Sequence, residues 1–173
     1  MRKLTLALMA TAVAGLVATT APIASADEPS TGAPQLLHSF GYKNLLLGMS
    51  GEQAVATGLL NQPSASDDEC AVYTLKQSEG ARDPMTVVFV SKENGVEKIN
   101  GTYPMKTTRG IGKGSTFDEL LTAYPNATQN PQHSWKQDAP APLNPRAHYE
   151  FDASKQHGVW QIHLSLNETV CAF

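Results

Sequence analysis

One short pattern occurs twice in this 173-residue chain. Residues 45–57 read Leu-Leu-Leu-Gly-Met-Ser-Gly-Glu-Gln-Ala-Val-Ala-Thr, and residues 111–123 read Ile-Gly-Lys-Gly-Ser-Thr-Phe-Asp-Glu-Leu-Leu-Thr-Ala. Gly48 and Gly114 are 66 apart, as are Gln53 and Glu119. A second pair follows in the same order. Ser91-Lys92-Glu93-Asn94-Gly95-Val96 recurs as Ser154-Lys155-Gln156-His157-Gly158-Val159, 63 residues on. Two matched segments with a net loss of three residues between them describe an internal duplication. A duplicated unit favours one continuous surface across two equivalent halves over a conventional active site.

Each copy carries a helix start. Ser50 with Gln53, and Thr116 with Glu119, are capping boxes, in which the hydroxyl and the third side chain satisfy each other's backbone amides. Glu52 and Asp118 lie in the first turn, where the helix dipole favours negative charge. Gly58 ends the first helix and Pro125 the second. Strands follow in both halves. Residues 86–90 and 96–99 flank a turn at Glu93-Asn94-Gly95, and 147–151 and 159–166 flank one at His157-Gly158. Residues 70–76 are a further strand candidate. The Pro-rich stretch 126–145 is expected to be an exposed loop carrying Trp135.

Period-two alternation divides the last hairpin. Tyr149, Phe151, Trp160, Ile162, Leu164 and Leu166 fall on one face and are assigned to the core. His148, Glu150, Gln161, His163 and Ser165 fall on the other, with Lys98 and Asn100 as first-half counterparts of Gln161 and His163. The short helices cover the apolar face and the polar face stays open. The fold class expected is α+β: two tandem repeats, with short helices on one face of a continuous antiparallel sheet. Substitutions on the open face are expected to leave folding nearly unchanged.

The N-terminus has the form of an export signal. Arg2 and Lys3 precede an apolar run, and Ala24-Ser25-Ala26 is a small-residue cleavage site. The expected organisation is a signal peptide at 1–26, a disordered lead-in at 27–35, a first repeat at 36–103 and a second at 104–173. Of the 13 basic residues, Arg2 and Lys3 lie in the leader, leaving 11 against 16 acidic, a formal charge of −5. That balance opposes nucleic-acid binding. The product is expected to be a secreted, extracellular monomer with no membrane anchor after cleavage.

Cys70 and Cys171 are the two cysteines. In an exported chain an even pair implies one disulfide, here tying the first repeat to the end of the second. The alternative is a reactive thiol, and no C-x-x-C supports it. The segment Gly110-Ile111-Gly112-Lys113-Gly114-Ser115-Thr116 fails as a phosphate loop, because Gly114 separates Lys113 from Ser115. The five histidines have no zinc spacing, and Asp67-Asp68-Glu69 lacks the ligand alternation of a calcium loop. No metal or cofactor is expected.

The run Leu45-x-x-Gly48-Met49-Ser50-x-x-Gln53, ending at Gly58, resembles the SmpA/OmlA family of small outer-membrane assembly proteins. Two such modules in tandem are similar to the β-lactamase inhibitor proteins of actinomycetes and to secreted actinomycete proteins of unassigned function. That resemblance implies two helix-bearing units on one long sheet. The function expected is a non-enzymatic protein-binding module, and an enzyme inhibitor is one form of it. Trp135, Lys98, His148, Glu150, Gln161 and His163 are the candidate contact residues. The alternative is a secreted hydrolase or small-ligand protein using His148, Glu150 and His163; their convergence in a closed pocket would favour it.

Overall fold

A computed structural model describes residues 35–82 and 84–171. The leader expected at 1–26, and all of the lead-in except residue 35, lie outside the described residues.

Two helices start where the caps are. Helix α1 is Gly51–Ala56 and helix α2 is Phe117–Ala123. Both capping boxes are complete, Ser50 with Gln53 and Thr116 with Glu119. The caps are tied to the hairpin turns in the same way. Gly48 N donates to Val96 O (2.9 Å) and Val96 N to Met49 O (2.8 Å). Gly114 N donates to Val159 O (2.8 Å) and Val159 N to Ser115 O (2.8 Å).

After α1 come β4 (Ala65–Ser66), β5 (Cys70–Thr74), β6 (Val87–Ser91) and β7 (Gly95–Asn100). After α2 come β9 (Thr128–Gln129), β10 (Lys136–Pro140), β11 (Ala147–Ser154) and β12 (Gly158–Leu166). These eight form one sheet in the order β4-β5-β6-β7-β12-β11-β10-β9. Every pairing in it is antiparallel. A second, smaller sheet of β1 (Leu36–His38), β2 (Gly41–Tyr42), β3 (Leu45–Leu46) and β8 (Lys106–Thr107) was not foreseen. Its β1–β8 pair is parallel, joining the chain before α1 to the chain before α2.

The core lies on the helix side of the large sheet. Ala54 of α1 and Leu120 of α2 meet Val88, Val96, Ile99, Tyr149, Phe151, Ile162 and Leu164 from the sheet and Leu37, Tyr42 and Leu45 from the small sheet. Tyr124 packs on Tyr149 and Phe151 with ring centroids 5.7 and 5.1 Å apart. The buried Tyr149 hydroxyl donates to Leu37 O (2.8 Å), which keeps its polar end satisfied.

The segment 126–145 is not a plain loop, because it contains β9 and β10. Gln137 and Ala139 turn inward at 8% and 1% exposure, while Lys136 pairs with Asp152 and Asp138 with Glu150. Pro140 is tolerated because it closes the strand. Trp160 is also corrected. Val159 pairs with Ala153 and Gln161 with Asp152, so Trp160 is the extra residue of a β-bulge. Val159 takes the core place at 1% exposure, and Trp160 is only half-buried. The first hairpin has the same irregularity. Val96 pairs with Val90 and Lys98 with Phe89, leaving Glu97 as the extra residue.

Cys70 and Cys171 form a disulfide across 101 residues, with Cα atoms 5.8 Å apart. Loop closure over that span stabilises the fold by about 4–5 kcal/mol in the chain-entropy picture. Glu97 secures the same tail. Its side chain is fully buried, and it accepts from Val170 N (2.9 Å), Cys171 N (3.0 Å) and Asn94 Nδ2 (3.0 Å).

Candidate functional site: the outer sheet face

Alternation places Lys98, Asn100, His148, Glu150, Gln161, His163 and Ser165 together on the face away from the helices, and their contacts agree. The centre of that face is an ion-pair network. Glu150 accepts from Lys98 Nζ at 2.8 and 3.0 Å and from Lys136 Nζ at 2.5 Å. His163 Nδ1 lies 2.7 Å from Asn100 Oδ1, and its Nε2 3.3 Å from Asp152 Oδ2. Gln161 Nε2 donates to Gly101 O (2.8 Å). Asn100 Nδ2 donates to Met85 O (2.9 Å).

The face is not open at its centre, contrary to expectation. Lys98, Asn100 and His163 are each 4% exposed, Glu150 7%, Gln161 8% and Ser165 2%. Alternation assigns a side chain to a face but says nothing of what its neighbours cover. In the middle of eight strands, long polar side chains lie across one another and exclude water. His148 is the more exposed member, with its Nε2 3.8 Å from Glu150 Oε1 and its Nδ1 3.1 Å from Asn167 Oδ1. Around the network the face keeps half-buried Val72, Val87, Phe89 and Asp152, and the bulge sets half-buried Trp160 beside Gln161, opposite Asp152. The described residues supply no helix or second sheet over it.

The electrostatics are those of a fixed scaffold. Burial raises the pKa of Glu150, but Lys98 and Lys136 overcome this and hold the carboxyl at about 2. Burial lowers the pKa of Lys98, opposed by Glu150. Lys136 is raised: burial lowers it, and the Glu150 carboxylate more than offsets this. Burial also drives His163 below the ordinary imidazole value, against the pull of Asp152. Burial thus favours the neutral ring, whose single N–H donates to Asn100 Oδ1 or to Asp152 Oδ2 but not to both. A carboxylate pinned by two ammonium groups is a poor proton carrier near neutrality. His148, Glu150 and His163 are neighbours, and the cleft that His148 lines has neither Glu150 nor His163 in its wall.

Trp135 precedes β10, is 49% exposed and stacks on His133 at 4.9 Å. Sequence reasoning passed over Lys136 and Asp152. Asp152 follows His148 and Glu150 at the same period, a signal that was present; Lys136 lies in the Pro-rich stretch expected to be a loop and carried none. Among the described residues, no group of three His, Cys, Asp or Glu side chains is placed to hold a metal ion. No helix of the described residues is long and apolar enough to cross a membrane.

No family model matches the chain, and no curated protein matches it. Among solved structures, the chain is similar to the uncharacterized protein yfeY from Escherichia coli. The identity is 13%, the match covers 76% of this chain and 97% of that one, and the TM-score is 0.43.

Proposed function

We propose that the chain is a secreted, non-enzymatic protein-binding module made of two tandem copies of one helix-and-four-strand unit, and that it binds its partner through the outer sheet face. The observation that carries this is the asymmetry of the sheet. Both helices and the small sheet lie on one side, while the other is broad and held rigid by the Lys98–Glu150–Lys136 network. Preorganised surfaces lose little freedom on association. The half-buried Phe89 and Trp160 flank the network and supply the aromatic contacts that dominate interface energies.

The duplication is supported by the mirrored strand order, the identical cap-to-turn hydrogen bonds and the paired bulges at Glu97 and Trp160. Export agrees with the Cys70–Cys171 bond, since such bonds persist in oxidising compartments. The resemblance to secreted inhibitors makes an enzyme our favoured class of partner. The test is capture from culture supernatant by the immobilised wild-type chain, repeated with Phe89→Asp and Trp160→Asp. A protein retained by wild type and lost with both variants supports the proposal. Capture unaffected by either variant contradicts it.

A further inference from the structure

A cleft of about 520 Å³ lies where β9, β10 and the start of β11 meet the turn that joins β10 to β11. That is the size of a small-molecule site. Ala139, Pro140, Ala141, Pro145 and Ala147 give it an apolar wall. Among the described residues that line it, Asp138 is the one acid and none is Lys or Arg. A larger cleft, of about 680 Å³, has the opposite character, with Lys106, Arg109 and Lys113 in its wall.

The wall is held by the chain's own hydrogen bonds. Asn144 Nδ2 donates to Ser39 O (2.7 Å), and Ala141 N to Ala147 O (3.1 Å). Asn167 Nδ2 donates to Pro145 O (2.9 Å), and its Oδ1 lies 3.1 Å from His148 Nδ1. Asp138 is the undersatisfied member. Its Oδ2 accepts from Asn130 Nδ2 (2.6 Å), while its Oδ1 is shielded from solvent and has no donor among the described residues. Lys136, two residues along the same strand, is committed to Glu150. A carboxylate oxygen shielded in this way is costly until a donor or a counter-charge reaches it.

We propose that this cleft binds a small aliphatic amine, with its ammonium beside Asp138 and its stem along the alanine and proline wall. The ammonium supplies both the donor and the charge that the carboxylate lacks. The stem gains by covering apolar surface. An anion would meet Asp138 with no Lys or Arg in the wall to offset it. A neutral alcohol would leave the charge unanswered. The excess of acidic over basic residues, 16 against 13, also draws cations toward the chain.

The probe is n-butylammonium chloride, titrated into the isotopically labelled chain, with n-butanol and butyrate as controls of the same stem. Backbone amide signals of Thr128, Ala139, Ala141 and Ala147 should shift saturably with the amine. Those of Gly110 and Gly114, in the cationic cleft, should stay in place. Both controls should bind at least tenfold more weakly. Asp138→Asn keeps the shape of the side chain and an acceptor for Asn130, so it should melt close to wild type and bind the amine at least tenfold more weakly. No saturable shift at this cleft, equal binding of n-butanol, or unchanged affinity in Asp138→Asn each overturns the proposal. If Asp138→Asn fails to fold, the amine-against-alcohol comparison on the wild-type chain decides alone. None of these failures touches the outer sheet face as a protein-binding surface.

Discussion

Asn100 and His163 stand directly opposite each other across the central β7–β12 pair, with Oδ1 and Nδ1 2.7 Å apart. They are separated in sequence by 63 residues, the same interval that relates the two hairpins. In an antiparallel pair, equivalent residues that face each other mark a local two-fold relation between the strands. If the halves are copies, the dyad passes between these two side chains. The polar network is then built around the seam of the duplication. His163→Ala should cost roughly 1–3 kcal/mol, since it leaves Asn100 and Asp152 without their partner in a buried site. Urea unfolding of the variant checks this. A change within about 0.5 kcal/mol would show that the site is solvated and the original expectation of an open face was right.

Gly95 and Gly158 hold the same place under the two helix caps. A Cβ on Gly95 would stand 2.4 Å from Met49 O, and one on Gly158 2.4 Å from Ser115 O. Both residues have positive φ, 69° and 66°. Crowding and backbone conformation act together, so each Gly→Ala change should destabilise by about 2–4 kcal/mol. The two losses should agree within about 1 kcal/mol. Thermal melts of both variants test this; a large loss at one glycine and none at the other would contradict the equivalence.

Acid should weaken the protein in two stages, and the sign follows from direction. The folded-state pKa of His163 is depressed, so its contribution is present above its ordinary value near 6.5 and falls as pH drops below that. Glu150 is held at about 2, so its contribution is complete above its ordinary value near 4.5 and is lost as pH falls toward 2. Melting temperature should decline between about pH 6.5 and 2, with a further fall below about pH 4.5. Glu150→Gln should remove that lower stage. It should also cost about 3–5 kcal/mol at pH 7, because it breaks the buried Lys98–Glu150 ion pair. A melting temperature flat from pH 7 to 3 would refute the ion-pair assignment.

Reduction should release the C-terminal tail. Breaking Cys70–Cys171 is expected to cost about 4–5 kcal/mol in the chain-entropy picture. Guanidinium unfolding with and without reductant measures it. If reduction leaves the midpoint unchanged, the Glu97 hydrogen bonds to Val170 and Cys171 are enough to fix the tail.

Much of the frame was legible because its signals are local. A capping box needs four residues and a hairpin turn five or six, and both occur twice at constant offset. The cysteine pair needed only parity and compartment. Strand β10 was hidden because its inward residues, Gln137 and Ala139, are weakly apolar, and four prolines nearby suggested a loop. Trp160 was misplaced because period-two counting cannot see an inserted residue, and Val159 beside it is equally apolar. The burial of Lys98, Glu150 and His163 depends on strands 52 and 63 residues apart, so no local pattern could report it.

The most direct test of the proposed function compares the two faces of the sheet. Val55 and Leu121, on α1 and α2, are 40% and 38% exposed on the helix side. Phe89 and Trp160 are half-buried on the outer side. Titrating the captured partner against Phe89→Ala, Trp160→Ala, Val55→Ser and Leu121→Ser, each first checked for an unchanged melting profile, separates the surfaces. Binding should weaken tenfold or more for the two outer-face variants and stay within about twofold for the two helix variants. Loss with the helix variants and full binding by the outer-face variants would contradict the outer face as the binding surface.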